Sequence, residues 1–130
     1  MPRLLPLLCI LLFTSCGQKQ HNDTPDPAEA AEQYYSLLAR HHYSSFVDGM
    51  AYAYDMPQSY RQQLEQLVRQ QMETRWLQHG GWTAVKAVDA LQYGAEADSA
   101  NVLLSITYAD STIEQILLPM VCLDDEWFMQ

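Results

Sequence analysis

The chain reads as an α+β domain in which three N-terminal helices pack on a curved four-stranded antiparallel sheet. Three observations carry this reading. From Asp26 to His79 apolar residues recur at helical spacing behind helix-start signals. Gly80-Gly81 then breaks the pattern. Beyond it Ala100, Val102, Leu104, Ile106 and Tyr108 alternate strictly with Asn101, Leu103, Ser105 and Thr107, the signature of a strand with one buried face. Helices followed by strands, rather than interleaved with them, place the helices together on one face of an antiparallel sheet.

The first helix opens at Asp26-Pro27-Ala28-Glu29. Asp26 can cap free amides, Pro27 suits the first helical position, and Glu29 stands where a capping box wants it. Ala30, Ala31, Tyr34, Leu37 and Leu38 give it an apolar face to about Arg40. Ser44 or Ser45 is expected to cap a shorter helix carrying Phe46, Val47, Met50 and Ala51. Pro57 opens a third, with Tyr60, Leu64, Leu67, Val68, Met72 and Trp76 on one face and Gln, Glu and Arg on the other. The Gly80-Gly81 pair stops it, because glycine readily takes the left-handed conformation of a helix end. Trp82 to Tyr93 forms a longer, less regular strand closed by Gly94. Asp110-Ser111 turns the alternating strand into Thr112 to Leu123, and Asp124-Asp125 turns that into Glu126 to Met129. Pro119 lacks an amide hydrogen and points to an edge or a bulge in the third strand.

Ahead of Asp26 the chain carries a different signal. Arg3 precedes Leu4-Leu5-Pro6-Leu7-Leu8-Cys9-Ile10-Leu11-Leu12-Phe13, and small residues follow, the layout of an export signal. Crossing a bilayer takes about 20 apolar residues, more than this run holds. Phe13-Thr14-Ser15-Cys16 resembles the lipobox of bacterial lipoproteins. That resemblance implies cleavage before Cys16, a diacylglycerol on its thiol and a fatty acyl chain such as palmitate on the new amine, which together exceed what stable anchoring requires. Residues 1–15 are therefore expected to be a signal peptide. Residues 16–25, from the lipidated Cys16 through a polar stretch without large apolar residues, form a flexible tether, and residues 26–130 the folded domain. Gly17, in place of an aspartate after the cysteine, points to the outer membrane facing the periplasm.

Composition narrows the classes further. At 130 residues one domain is the default, and 48% hydrophobic residues suffice for a core. Sixteen acidic against seven basic residues give a net charge of −9, the wrong sign for a nucleic-acid binder. Of three cysteines, Cys9 leaves with the signal and Cys16 is lipidated. Cys122, alone between Val121 and Leu123, reads as a small strand residue, so no disulfide is expected.

In order and pattern residues 26–130 resemble the nuclear-transport-factor-two-like (cystatin-like, lumazine-binding-like, cone-shaped) superfamily, and more narrowly the short bacterial lipoproteins of unknown function that carry this domain. The resemblance rests on Pro27-Ala28-Glu29 with Tyr34, Leu37 and Leu38, on Ala100-x-Val102-x-Leu104, and on the ending Leu118-Pro119-Met120-Val121-Cys122-Leu123-Asp124-Asp125-Glu126-Trp127. Asp125 stands where relatives commonly have glycine, so the turn type differs. The resemblance implies a cone with a pocket between sheet and helices, into which enzymatic relatives such as ketosteroid isomerases and scytalone dehydratases place an Asp, His or Tyr. It also implies pairing of two copies through the open sheet face.

The candidates for such chemistry are Asp48, His41, His42, Asp89 and Lys86, none within a motif. His41 and His42 are adjacent, so on a helix they diverge by about 100° and are poorly placed to chelate one ion; no metal and no cofactor is expected. Six of eight tyrosines, Tyr34, Tyr35, Tyr43, Tyr52, Tyr54 and Tyr60, fall in the helical half, while Trp76, Trp82 and Trp127 flank the sheet. Aromatics with polar tips suit a pocket mouth as well as a core. The expected pocket is Tyr34, Leu38, Phe46, Asp48, Trp76, Tyr108 and Trp127, without an assembled catalytic set. The expected role is a lipid-anchored, non-enzymatic envelope module that binds a small ligand or a protein partner. The alternative is an envelope isomerase or dehydratase using an acid or a histidine in the cone.

Overall fold

A computed structural model describes residues 26–130. The expected signal, the lipidated Cys16 and the tether lie outside the described residues. Helix α1 spans Pro27–Ala39, α2 spans Tyr43–Asp48, a single 3-10 turn covers Ala51–Ala53, and α3 spans Gln58–His79. Strands β1 (Trp82–Tyr93), β2 (Ser99–Tyr108), β3 (Ile113–Leu123) and β4 (Glu126–Met129) follow. They pair antiparallel in the order β1-β2-β3-β4, so each strand neighbours the next in sequence and the sheet is a meander. The α+β plan of three helices and a four-stranded antiparallel sheet is the one the sequence predicts.

Local chemistry accounts for most boundaries. The Asp26 carboxylate accepts from the Ala28 amide at 3.1 Å and Pro27 fills the first turn of α1. Gly80 closes α3 at φ +80°, and a Cβ there would lie 2.8 Å from the Ala109 Cβ, so glycine answers both the left-handed backbone and the close approach of the β2–β3 hairpin. Asp124 and Asp125 both take left-handed backbone (φ 50° and 62°), as a two-residue hairpin requires, with aspartate in the place that suits glycine better.

One local expectation is corrected, and another is decided between its two alternatives. Neither Ser44 nor Ser45 caps α2, which starts at Tyr43 behind His42; Met50 and Ala51 lie beyond it, and Met50 bridges Met129 in parallel. Pro119 causes no bulge, since the β2–β3 register runs unbroken through Asn101↔Pro119. Its carbonyl accepts from Gln130 N on the β4 side, where β4 has just ended, so the missing amide hydrogen faces a local edge. The irregularities sit in β1 instead, at Thr83 and at Val88. There the Glu32 carboxylate, reaching from α1, accepts from the Ala87 amide at 2.6 Å.

The core lies between α1 and the inner face of the sheet. Ala100, Val102, Leu104 and Ile106 of β2 are fully buried, with Leu118 and Met120 of β3 beside them and Ala31 and Leu38 of α1 above. Each fully buried Val, Leu, Ile or Met contributes about 1.5–3 kcal/mol over an exposed one. Helix α3 sits differently. Of the face expected to be buried only Met72 is; Leu64, Val68 and Trp76 are half-buried, and Tyr60 and Leu67 are exposed. The helix leans on the open end of the cone along a narrow stripe and leaves a cleft beneath it. No helix among the described residues is long and apolar enough to cross a membrane.

Candidate functional site

The cleft between α3 and the sheet holds about 500 Å³, within the range of small-molecule sites. Helix α1 contributes Tyr35 and Leu38, α2 contributes Phe46, and Met50 follows it. Val68, Met72 and Arg75 enter from α3 at i, i+4 and i+7, which puts them on one face, with Gln71 beside them. Trp82 of β1 and Glu114, Gln115 and Ile116 of β3 close the far wall. Leu38, Phe46 and Met72 are buried, and the Tyr35 ring packs against Phe46 at 5.6 Å and against Trp82 at 5.9 Å between centroids. Every element that borders the cleft contributes an apolar group, whereas the polar ones, Gln71, Arg75, Glu114 and Gln115, come from α3 and β3 alone.

Among these, Arg75 Nη1 meets Glu114 Oε1 at 2.8 Å, with both side chains partly exposed. Tyr35 lines the same cleft. Burial pushes its pKa up, Arg75 pulls it down and Glu114 pushes it up again, so the phenol stays protonated through neutral pH. Its hydroxyl makes no hydrogen bond to another described residue. A phenol, a guanidinium and a carboxylate thus line one cleft, with Gln71 and Gln115 as its other polar groups.

Leu38 and Phe46 of the expected pocket line this cleft. The other five are elsewhere. Tyr34, one residue before Tyr35 and about 100° around the helix, points to β4, where its hydroxyl donates to the Trp127 carbonyl at 2.5 Å. Burial, and then Glu126, raise its pKa. Trp127 borders a separate acidic hollow with Glu96, Asp98, Cys122, Asp124 and Asp125. Asp48 is on the surface in an ion pair with Arg61, its side chain about half exposed. Trp76 packs edge-on between His41 (4.6 Å) and Trp82 (6.0 Å), and Tyr108 is buried behind Trp82 and His79. Trp76 Nε1, Trp82 Nε1 and the Tyr108 hydroxyl have no hydrogen-bond partner among the described residues.

The remaining candidates are likewise outside the cleft. His41 bonds the Tyr43 hydroxyl through Nδ1 at 3.0 Å; His42 and Lys86 are exposed; the Asp89 carboxylate accepts from the next amide, of Ala90. Burial, Asp125 and Asp98 push the Cys122 thiol up, which makes it a poor nucleophile. No group of three or more His, Cys, Asp or Glu able to hold a metal occurs among the described residues. Sequence reasoning missed Tyr35, Arg75 and Glu114 as a group. Arg75 and Glu114 are 39 positions apart and meet across the opening between α3 and β3.

A solved structure from Campylobacter jejuni, described as a candidate NTF2-like transpeptidase, matches this chain with a TM-score of 0.64. The match covers 81% of this chain and 97% of that one at 12% sequence identity. The fold is NTF2-like. At that identity the likeness carries the fold alone, and the role of each residue in this NTF2-like cone rests on its own geometry. No protein-family profile and no curated protein matches the sequence.

Proposed function

We propose that the chain is a lipid-anchored cell-envelope protein whose NTF2-like domain binds a small, largely apolar ligand in the α3 cleft without chemically changing it. The observation that carries this reading is the cleft itself: about 500 Å³ bounded by Tyr35, Leu38, Phe46, Met50, Val68, Met72, Trp82 and Ile116, with its other polar groups from α3 and β3 alone. A general base must reach its substrate. Asp48 is turned outward to Arg61, and the one carboxylate on the cleft, Glu114, is already paired with Arg75. Both observations favour a binding module over an isomerase or dehydratase. The transpeptidase activity named for the Campylobacter protein is not carried over, since at 12% identity the likeness carries the fold alone.

The address follows from the lipobox-like Phe13-Thr14-Ser15-Cys16. Lipid on Cys16 holds the domain at the outer membrane, facing the periplasm, and the acidic chain (net −9) stands off anionic head groups. A second copy is proposed to pair through the outer sheet face, where Ile113, Leu117 and Leu91 are each more than 60% exposed. Two experiments test the reading. A ligand that binds only the native state must raise the melting temperature, so a thermal-shift screen of medium-chain apolar compounds is expected to give hits that vanish when Met72→Trp fills the cleft. Cys16→Ala is expected to move the protein out of the detergent phase of a temperature-induced partition, and retention there would refute lipid anchoring.

A further inference from the structure

The chemistry of the cleft's rim narrows the ligand class, an inference that rests on the binding role proposed above. A half-exposed ion pair such as Arg75–Glu114 contributes little to stability, so its position needs another account. Arg75 projects from α3 and Glu114 from β3 into the same opening, 2.8 Å apart, and Tyr35 lines it from α1. Together they offer hydrogen-bond donors on Arg75 and Tyr35 and an acceptor on Glu114, with formal charges that cancel. One contact occupies one Arg75 nitrogen, and the guanidinium has five N–H donors in all.

We infer that the cleft takes an amphiphile with an apolar body and an uncharged amide-type head. The head's carbonyl accepts from Arg75 or Tyr35, and its N–H donates to Glu114. The apolar body lies against Phe46, Met72 and Ile116. A carboxylate head would sit against Glu114 and an ammonium head against Arg75, each a like-charge contact in a partly desolvated opening. The acidic balance of the whole chain adds to the rejection of anions.

The test is isothermal titration of octanamide, octanoate and octylammonium into the full chain at neutral pH, against the same solution without protein. Octanamide is expected to bind about tenfold or more tighter than either ion, because each ion meets a like charge at the rim. Lengthening the amide chain should tighten binding by about fourfold per methylene while the cleft has room. Glu114→Gln leaves the rim positive and should move the preference to octanoate; Arg75→Gln leaves it negative and should move it to octylammonium. Both side chains are partly exposed, and the readout is the order of ligands within each variant, which a uniform loss of stability does not change. If the three ligands bind within about threefold of each other, or if the two variants do not move the preference in opposite directions, the amide inference is overturned and the cleft reading stands. If none binds, the cleft reading itself fails.

Discussion

Replacing Gly49 by alanine tests how the last strand is locked to the helices that frame the cleft. Gly49 ends α2, its carbonyl accepts from Met129 N at 2.7 Å, and the next residue, Met50, lines the cleft. A Cβ at this position would lie 2.3, 2.6 and 2.9 Å from Cε1, Cδ1 and Cζ of Tyr34. Relaxed carbon contacts lie at about 3.5–4.0 Å, so roughly 1 Å or more of separation must open. The ring cannot swing freely, because its hydroxyl is held by the Trp127 carbonyl at 2.5 Å. Overpacking of this kind costs about 1–3 kcal/mol, and losing either the Tyr34 or the Met129 hydrogen bond adds about 0.5–1.5 kcal/mol. The expected loss is about 2–4 kcal/mol, read by urea denaturation, or a fall in Tm of roughly 10–20 °C for a domain of this size. The double-mutant cycle with Tyr34→Ala isolates the contact: without the ring, Gly49→Ala should cost less than about 1 kcal/mol. A Gly49→Ala protein as stable as the parent, or one equally destabilised in the Tyr34→Ala background, refutes the reasoning.

Three further outcomes follow from individual contacts. Glu32→Ala strands the Ala87 amide beside the β1 bulge and is expected to cost about 1–3 kcal/mol in urea denaturation, with Glu32→Gln recovering most of it; a loss below about 0.5 kcal/mol would mean that water replaces the carboxylate. Hydrogen bonds from Thr112, through side chain and backbone, and from His79 lower the Asp110 pKa from 3.8 to about 2. The folded state therefore takes up that proton at lower pH than the unfolded one, and the stabilisation present above about pH 4 fades as pH falls toward 2. The Tm difference between the parent and Asp110→Asn should shrink over that window, and a constant difference would contradict the linkage. On the outer sheet face, Leu117→Lys is expected to convert a dimer to a monomer by light scattering, whereas a parent that is monomeric at every accessible concentration excludes pairing through that face.

The fold was legible where local chemistry and burial agree. Asp26-Pro27 marks the start of α1 and Gly80 the end of α3, and the strict alternation of β2 survives intact because a central strand has its inner face wholly covered. Helix α3 shows the limit of periodicity. The spacing of Tyr60, Leu64, Leu67, Val68, Met72 and Trp76 identifies a helix with an apolar side, yet says nothing of how wide a contact the rest of the chain offers. A helix leaning on the rim of a cone buries Met72 alone, with Leu64, Val68 and Trp76 half-covered beside it.

The site was less legible for a related reason. Tyr34 and Tyr35 are equivalent by type and adjacent in sequence, and only the orientation of α1 on the sheet sends one to β4 and the other to the cleft. Asp48 looked suited to an active site among Phe46, Val47 and Met50, but its partner Arg61 lies on another helix and draws it outward. Arg75 and Glu114 come together across the cleft, a juxtaposition of α3 and β3 that neither segment encodes alone.

Methyl spectra of the methionines test the central claim most directly, because these residues divide between the cleft and the rest of the domain. Met50 and Met72 line the cleft, whereas Met56 is exposed and Met120 and Met129 lie in the sheet. With carbon-13 on the methionine methyls, titrating octanamide into the full chain should shift the Met50 and Met72 resonances along one saturable curve. The resonances of Met56, Met120 and Met129 should stay in place. Shifts spread equally over Met50, Met56, Met72, Met120 and Met129, or confined to the sheet methionines, would place binding elsewhere and contradict the account.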